Sequence, residues 1–271
     1  MTTIYFKTIF SSPSEIPFIL MNIMEGYSFI DKFIISEANY THTGSFRDYS
    51  FNKYRDFFTQ FEEKIIYIPA DIKDRVIHQS RSTDNSYLHI NEDIIRDCFE
   101  DYIKLNNDDI IISADADEVI FRQIYPLLFK YIRRNIPLII PLHQFFYRIN
   151  YLWEDIIFKA PIVSYASFYL KRPRPHRWRD EGKTLPFIGG CHFSWQLTID
   201  QMIHKLQTYA HHDIYGHLAD PQLLENAVKE KRYIFDPNRK FSIRELNPNI
   251  DRAYYPRSFY RIRNIFEQLR G

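Results

Sequence analysis

Glycine is scarce in this chain, at 7 of 271 residues. So few glycines leave no room for long flexible linkers, and the sequence shows no Gly/Ser tract, internal repeat or low-complexity segment. Cysteine is scarcer still: only Cys98 and Cys191 occur. Their separation fits neither a disulfide framework nor a thiolate metal site, and two free thiols in a reducing compartment are expected. Charge of one sign is not in excess, since 35 Lys and Arg oppose 34 Asp and Glu for a net charge of +1. That balance removes the global electrostatic argument for a nucleic-acid partner. Long apolar runs are missing as well. The run at 137–142 is far too short to span a bilayer. Residues 1–10 lack a charged region followed by a long apolar stretch, so no signal peptide is expected and the expected location is cytoplasmic.

What is present fits one large α/β domain. Hydrophobic residues make up 45% and charged residues 25%, close to globular averages, and the length allows a sizeable core. Aromatics are abundant, with 23 Phe and 20 Tyr, enough to fill that core and leave rings to line a sugar or base pocket. Apolar periodicity predicts strands at 3–10, 31–37, 64–69 and 110–114. Helices are predicted between them at 15–24, 52–63 and 91–105. The second half is less regular. Strands are expected at 138–149, 161–170 and 187–195, helices at 199–210 and 221–231, and a basic loop at 171–186. This alternation argues for a mostly parallel central sheet flanked by helices, whose ligands bind beyond the carboxyl ends of the strands. Two strands end on acids at that edge, one at Glu37 and one at Asp115.

The sharpest chemical signal is Asp115-Ala116-Asp117-Glu118. Three carboxylates in four residues repel one another, and a cation relieves that cost. Hard divalent ions such as Mg²⁺ or Mn²⁺ take oxygen ligands and share them with substrate phosphates. This is the only D-x-D in the chain, and it follows Ile110, Ile111 and Ile112 directly. The competing reading is a solvated acidic turn.

With these motifs in order, the sequence resembles glycosyltransferase family 17, the family of the bisecting β-1,4 N-acetylglucosaminyltransferase. The early element is Phe33-Ile34-Ile35-Ser36-Glu37-Ala38-Asn39-Tyr40-Thr41-His42-Thr43-Gly44. Glu92 and Arg96 follow, one helical turn apart. The aspartate motif is Asp115-Ala116-Asp117-Glu118-Val119. Trp178-Arg179, then Gly189-Gly190-Cys191-His192-Phe193-Ser194-Trp195, then Lys205 with Thr208-Tyr209-Ala210-His211-His212-Asp213 complete the set. Val119-Ile120 stand where the family usually has Ile-Pro, and Cys191 where it often has Trp. The resemblance implies a GT-A-type, Rossmann-like fold in a single domain, a nucleotide-sugar donor (a UDP-sugar first), Mn²⁺ or Mg²⁺, and an inverting transfer to a glycan or lipid-linked glycan. On that basis residues 1–250 form the catalytic domain, with a nucleotide-sugar half at about 1–120 and an acceptor half at about 121–250. Residues 251–271 form a basic, aromatic tail, expected to be helical.

Roles for single residues follow, each beside a plainer alternative. Asp115 and Asp117 hold the metal and His211 completes it; a lone His is also commonly structural. Glu37 and Asn39 hold base or ribose, while Asn39 also suits a turn. Arg96 and Glu118 join the donor site, and Arg96 alternatively pairs with Glu92 on one helix face. The basic loop with Trp178 and Arg179 closes over phosphates, or is simply solvated. His192 and Trp195 receive the acceptor, or Trp195 is core. Asp213, Asp180 and Glu181 are candidates for the general base. The tail rests on an anionic membrane or packs on the domain. Two functional alternatives remain: a metal-dependent nucleotidyl- or phosphotransferase, and an inactive carbohydrate-binding module.

Overall fold

The computed structural model describes residues 2–78, 84–171 and 181–268. Strand β1 (Ile4–Ile9) leads into a tight turn capped by Ser12, whose capping-box partner is Glu15. Pro17 then starts helix α1 (Ile16–Gly26), which is buried on every side except at Met24. Strands β2 (Lys32–Ala38) and β3 (Ile65–Ala70), helix α2 (Ser86–Asp97) and strand β4 (Ile110–Ser113) follow. The order is β3-β2-β1-β4, all parallel, with Phe6 opposite both Phe33 and Ile112. These strands read as continuous apolar runs because both sheet faces are covered.

The second half extends the same sheet with mixed direction. It contributes β5 (Glu118–Ile120), α3 (Tyr125–Tyr131), β6 (Leu138–Phe146), β7 (Tyr151–Tyr165) and α4 (Ala166–Tyr169). Then come β8 (Lys183–Thr184), β9 (Gly190–Ser194), α5 (Ile199–Thr208), α6 (His212–Tyr215), α7 (Pro221–Lys229), β10 (Ile243–Glu245) and α8 (Phe259–Gln268). Beyond β4 the order continues β7-β6-β9-β5. Strand β7 is antiparallel to both β4 and β6, while β9 runs parallel to β6. The result is the expected α/β unit: a mostly parallel central sheet flanked by helices.

Several predicted spans changed in kind. Residues 51–64 form a 3₁₀ run rather than an α-helix. The helix expected at 91–105 stops at Asp97 and tightens into a 3₁₀ turn over 98–101. The strand expected at 138–149 ends at Phe146, because Tyr147 adopts a left-handed φ of 64°. Strand β7 begins ten residues earlier than its apolar stretch. Its first part carries Glu154 and Asp155 on an exposed edge, which hides it from an apolar-run reading.

Three apolar clusters hold the layers. One lies under α1, α3 and α8; a second lies on the opposite face with α2 and α4; a third joins the β6–β7 arm to α5 and α7. Helix α8 turns Phe259 and Ile262 inward, and Phe266 meets Phe18 of α1 edge-on at 5.2 Å. The tail thus spends its apolar face on the domain. Among the described residues, no helix is long and apolar enough to cross a membrane.

Glu100, in the 98–101 turn, carries a buried Oε1 with no hydrogen-bond partner among the described residues. Burial, then the neighbouring Asp97, pushes its carboxyl up to about 7. A raised folded-state value means the folded chain holds this proton more tightly than the unfolded chain. The stability so gained is present below the unfolded value and is lost as pH rises to about 7. Glu100→Gln, which keeps the neutral form, should therefore raise the melting temperature by about 2 °C near pH 8 and change little near pH 4. Thermal melts of both proteins at the two pH values check this.

Candidate functional site

The acidic motif is a tight turn between β4 and β5, fixed from three sides. Ala114 N donates to Lys7 O at 3.0 Å, so the chain leaves the sheet alongside β1. Glu118 N donates to Asp115 O at 3.0 Å, and the Glu118 carboxylate accepts from Asp115 N at 2.9 Å. Asn22 Nδ2 of α1 donates to Ala116 O at 3.0 Å, and Phe193 N of β9 donates to Asp117 O at 2.8 Å. Ala116 and Glu118 therefore point inward and are 4% and 1% exposed, while the Asp115 and Asp117 side chains face out at 27% and 22%. The spacing of D-x-D is the outward half of this turn. The small residue between fits against α1, and Glu118 is consumed by the turn itself rather than offered to a donor.

The two outward acids have different neighbours. Asp115 receives both terminal nitrogens of Arg96, one of them at 3.1 Å, and Arg96 Nε also meets Glu92 Oε1 at 3.2 Å. Arg96 thus makes the helix-face pair and reaches the motif as well. His42 lies among these charges, and burial, against the pull of Glu92, pushes it down to about 4, so its ring is neutral at pH 7.

Asp117 faces an imidazole. His192 Nε2 lies 3.6 Å from Asp117 Oδ2. Its other nitrogen, Nδ1, is 2.8 Å from Gln144 Oε1, while Gln144 Nε2 donates to Phe145 O at 3.1 Å. With the amide oxygen as acceptor, Nδ1 carries a proton, and Nε2 faces Asp117. The pairing follows from the sheet: His192 lies opposite Glu118 across β5–β9 and opposite Gln144 across β6–β9. Phe158 stacks on the imidazole at 3.9 Å.

Glu15 borders Asp117, and Lys205 lies near Glu15. Glu15 accepts from Ser11 N at 2.6 Å and Ser12 N at 3.3 Å. Burial, with Asp117 adding to it, pushes its carboxyl up to about 7, and Lys205 opposes that rise. Lys205 extends from α5, its Nζ 5.0 Å from the Trp195 ring centre. Arg47 ties the rim together by donating to the carbonyls of Ala38, Ser11 and Phe10 at 2.7, 2.6 and 2.9 Å.

Other predicted residues lie elsewhere or serve the fold. Glu37 accepts from Ser50 N, Ser50 Oγ, Phe51 N and Tyr67 OH, so it caps the 51–64 run from a fully buried position. Asn39 bridges Asp71 and Ile72 N. Both stand at the expected edge, with their polar atoms engaged inside the protein. Trp195 is 7% exposed at a φ of 58° and packs with Phe146 and Phe235, which is the core alternative. His211 is exposed and stacks edge-on with His89 of α2 at 5.1 Å, and it is His192 that stands beside Asp117. Asp213 is exposed and lies close enough to raise Tyr87. Glu181 is exposed at the start of the segment before β8. Trp178, Arg179 and Asp180 lie outside the described residues. Among the described residues, no three His, Cys, Asp or Glu side chains are grouped to hold a metal. Glu15, Arg47 and Gln144 escaped the sequence reading. Glu15 was legible as the fourth residue of a capping box, whereas Gln144 and Arg47 carried no motif.

Comparison with family models puts the chain among the glycosyltransferases. It belongs to glycosyltransferase family 17, whose model matches residues 2–259. No curated protein matches. Among solved structures, the glycosyltransferase GlyE of Streptococcus pneumoniae TIGR4 matches with a TM-score of 0.31 and 12% identity, over 84% of this chain and 43% of that one. Its apo form gives a TM-score of 0.31 and 10% identity, over 86% and 44%. This chain thus spans less than half the length of those two.

Removing the inward carboxylate should loosen the turn. Glu118→Ala should cost about 1–3 kcal/mol, because Asp115 N–H loses its acceptor in a partly buried position. Urea denaturation of the variant against the parent measures this.

Proposed function

We propose that this chain moves a sugar from a nucleotide-sugar donor, a UDP-sugar, to a hydroxyl of a glycan or lipid-linked glycan, with inversion. The observation that carries the reading is the rigid Asp115–Glu118 turn at the carboxyl edge of the parallel strands, with Arg96, Lys205 and His192 around it. Membership of the family supports a sugar donor and a glycan acceptor in general.

A divalent cation, Mn²⁺ or Mg²⁺, fits one part of this edge. Asp117 offers a carboxylate and His192 a ring nitrogen held in place by Gln144, so these two are the residues that would hold it. Asp115 is already neutralised by Arg96 and would instead keep that guanidinium aimed at the site. When bound, such an ion stabilises the negative charge on a departing diphosphate. Arg96 and Lys205 supply positive charge to the same leaving group. In the transfer, the acceptor oxygen forms a bond to the anomeric carbon as the bond to the diphosphate oxygen breaks. The hydroxyl proton passes to a carboxylate, for which Asp213, Asp180 and Glu181 are the candidates.

A thermal-shift series with nucleoside diphosphates and nucleotide sugars, each with and without Mn²⁺, tests the reading. Uridine nucleotides should raise the melting temperature only with the metal, by an increment that grows with ligand concentration. Asp117→Ala should abolish both the shift and turnover while its far-UV spectrum stays that of the parent. A flat series, or a nucleoside triphosphate that is cleaved in place of a nucleotide sugar, would overturn it.

The two histidines can be separated in the same way. His192→Ala should weaken the apparent Mn²⁺ affinity by about 10–100-fold. If His211→Ala produces that loss and His192→Ala does not, the metal lies on the α6 side instead.

A further inference from the structure

Helix α1 and strand β5 both run away from the acidic turn, and they end together at a second cleft. Glu25 lies ten residues beyond Glu15 along an almost continuous helical path, about 15 Å away. Arg122 lies five residues beyond Asp117 on an extended segment, about 16 Å away. The cleft between them is lined by Met24, Glu25, Arg122, Arg257, Ser258 and Arg261.

Its chemistry is that of an anion receptor. Three guanidinium groups face one carboxylate. That carboxylate is committed, since Glu25 Oε1 accepts from Ser258 N at 2.7 Å and Oε2 from Arg122 N at 2.9 Å. Arg122 is held in place by donating to Ser28 Oγ at 2.7 Å, with its guanidinium 5.7 Å from the Phe29 ring centre. Arg257 and Arg261 are exposed, and no carboxylate pairs with either among the described residues. Ser258 is 4% exposed, yet its Oγ has no hydrogen-bond partner among the described residues. A buried hydroxyl left unmatched beside three guanidinium groups on a cleft wall is a donor set awaiting an acceptor.

We propose that this cleft binds a phosphate-class dianion, a phosphomonoester or diphosphate, at a site separate from the acidic turn. Arg257 and Arg261 clamp it, Arg122 backs it and Ser258 Oγ donates to it. Two sources present that chemistry: a free phosphate compound, or the headgroup of an anionic lipid beneath the exposed face of α8.

Calorimetric titration of the full chain with inorganic pyrophosphate in the presence of chelator tests the site. The parent and Asp117→Ala should bind with the same affinity, because the acidic turn takes no part. The double variant Arg257→Ala/Arg261→Ala should bind at least about tenfold more weakly, and Ser258→Ala about threefold, with melting temperatures near that of the parent. No saturable heat at millimolar pyrophosphate, or equal affinity in the double variant, would overturn the proposal. Co-sedimentation with phosphatidylcholine vesicles containing a fifth phosphatidic acid separates the sources. Sedimentation lost in the double variant assigns the lipid headgroup. Pyrophosphate binding without sedimentation assigns the free anion.

Discussion

The hydrogen bond from Asp115 N to the buried Glu118 carboxylate is the constraint on which the rest of the site depends. Burying a carboxylate is costly, and hydrogen bonding is what offsets it. Here the cost is met inside a four-residue turn, so the carboxylate fixes the backbone that carries its two neighbours. Asp115 and Asp117 then face outward into different surroundings: Asp115 is paired with Arg96, and Asp117 stands beside His192. Lys7 adds a buried positive charge beneath the same edge; burial lowers its affinity for the proton, and Asp97 and Asp115 partly restore it.

The site is a joint between two halves of the chain. The parallel strands bring Asp115, and α2 brings Arg96. His192 and Gln144 come from β9 and β6, which reach the motif only because β5 pairs with β9. Gly190 lies where β9 meets Val119 of β5, and a side chain there would collide with the Val119 carbonyl. Helix α1 braces the whole arrangement. Its two buried polar residues sit one turn apart and serve opposite ends: Asn22 holds the acidic turn, and Glu25 holds both the segment after β5 and the start of α8.

This division also explains which parts of the fold were legible. The apolar runs at 31–37, 64–69 and 110–114 became β2, β3 and β4 because parallel strands bury both faces and leave a continuous signal. Strand β7 did not read through, since its outer end carries exposed charged side chains at Glu154 and Asp155. The 51–64 run has an amphipathic pattern, but its winding is 3₁₀, with a buried Glu37 at its start that no local pattern reveals.

By itself the sequence determined the alternation of strands and helices, the placement of Asp115 and Asp117 beyond a buried strand, and the family to which the chain belongs. Those are local or ordered properties, set by apolar periodicity and by residues adjacent in the chain. Only the tertiary structure decided which distant groups meet the acids. It set His192 rather than His211 beside Asp117, turned Glu37 and Asn39 into internal anchors, and gathered Arg122, Arg257 and Arg261 at the far end of α1. Such encounters depend on strand order and register, and a single sequence encodes those only through the packing of the whole chain.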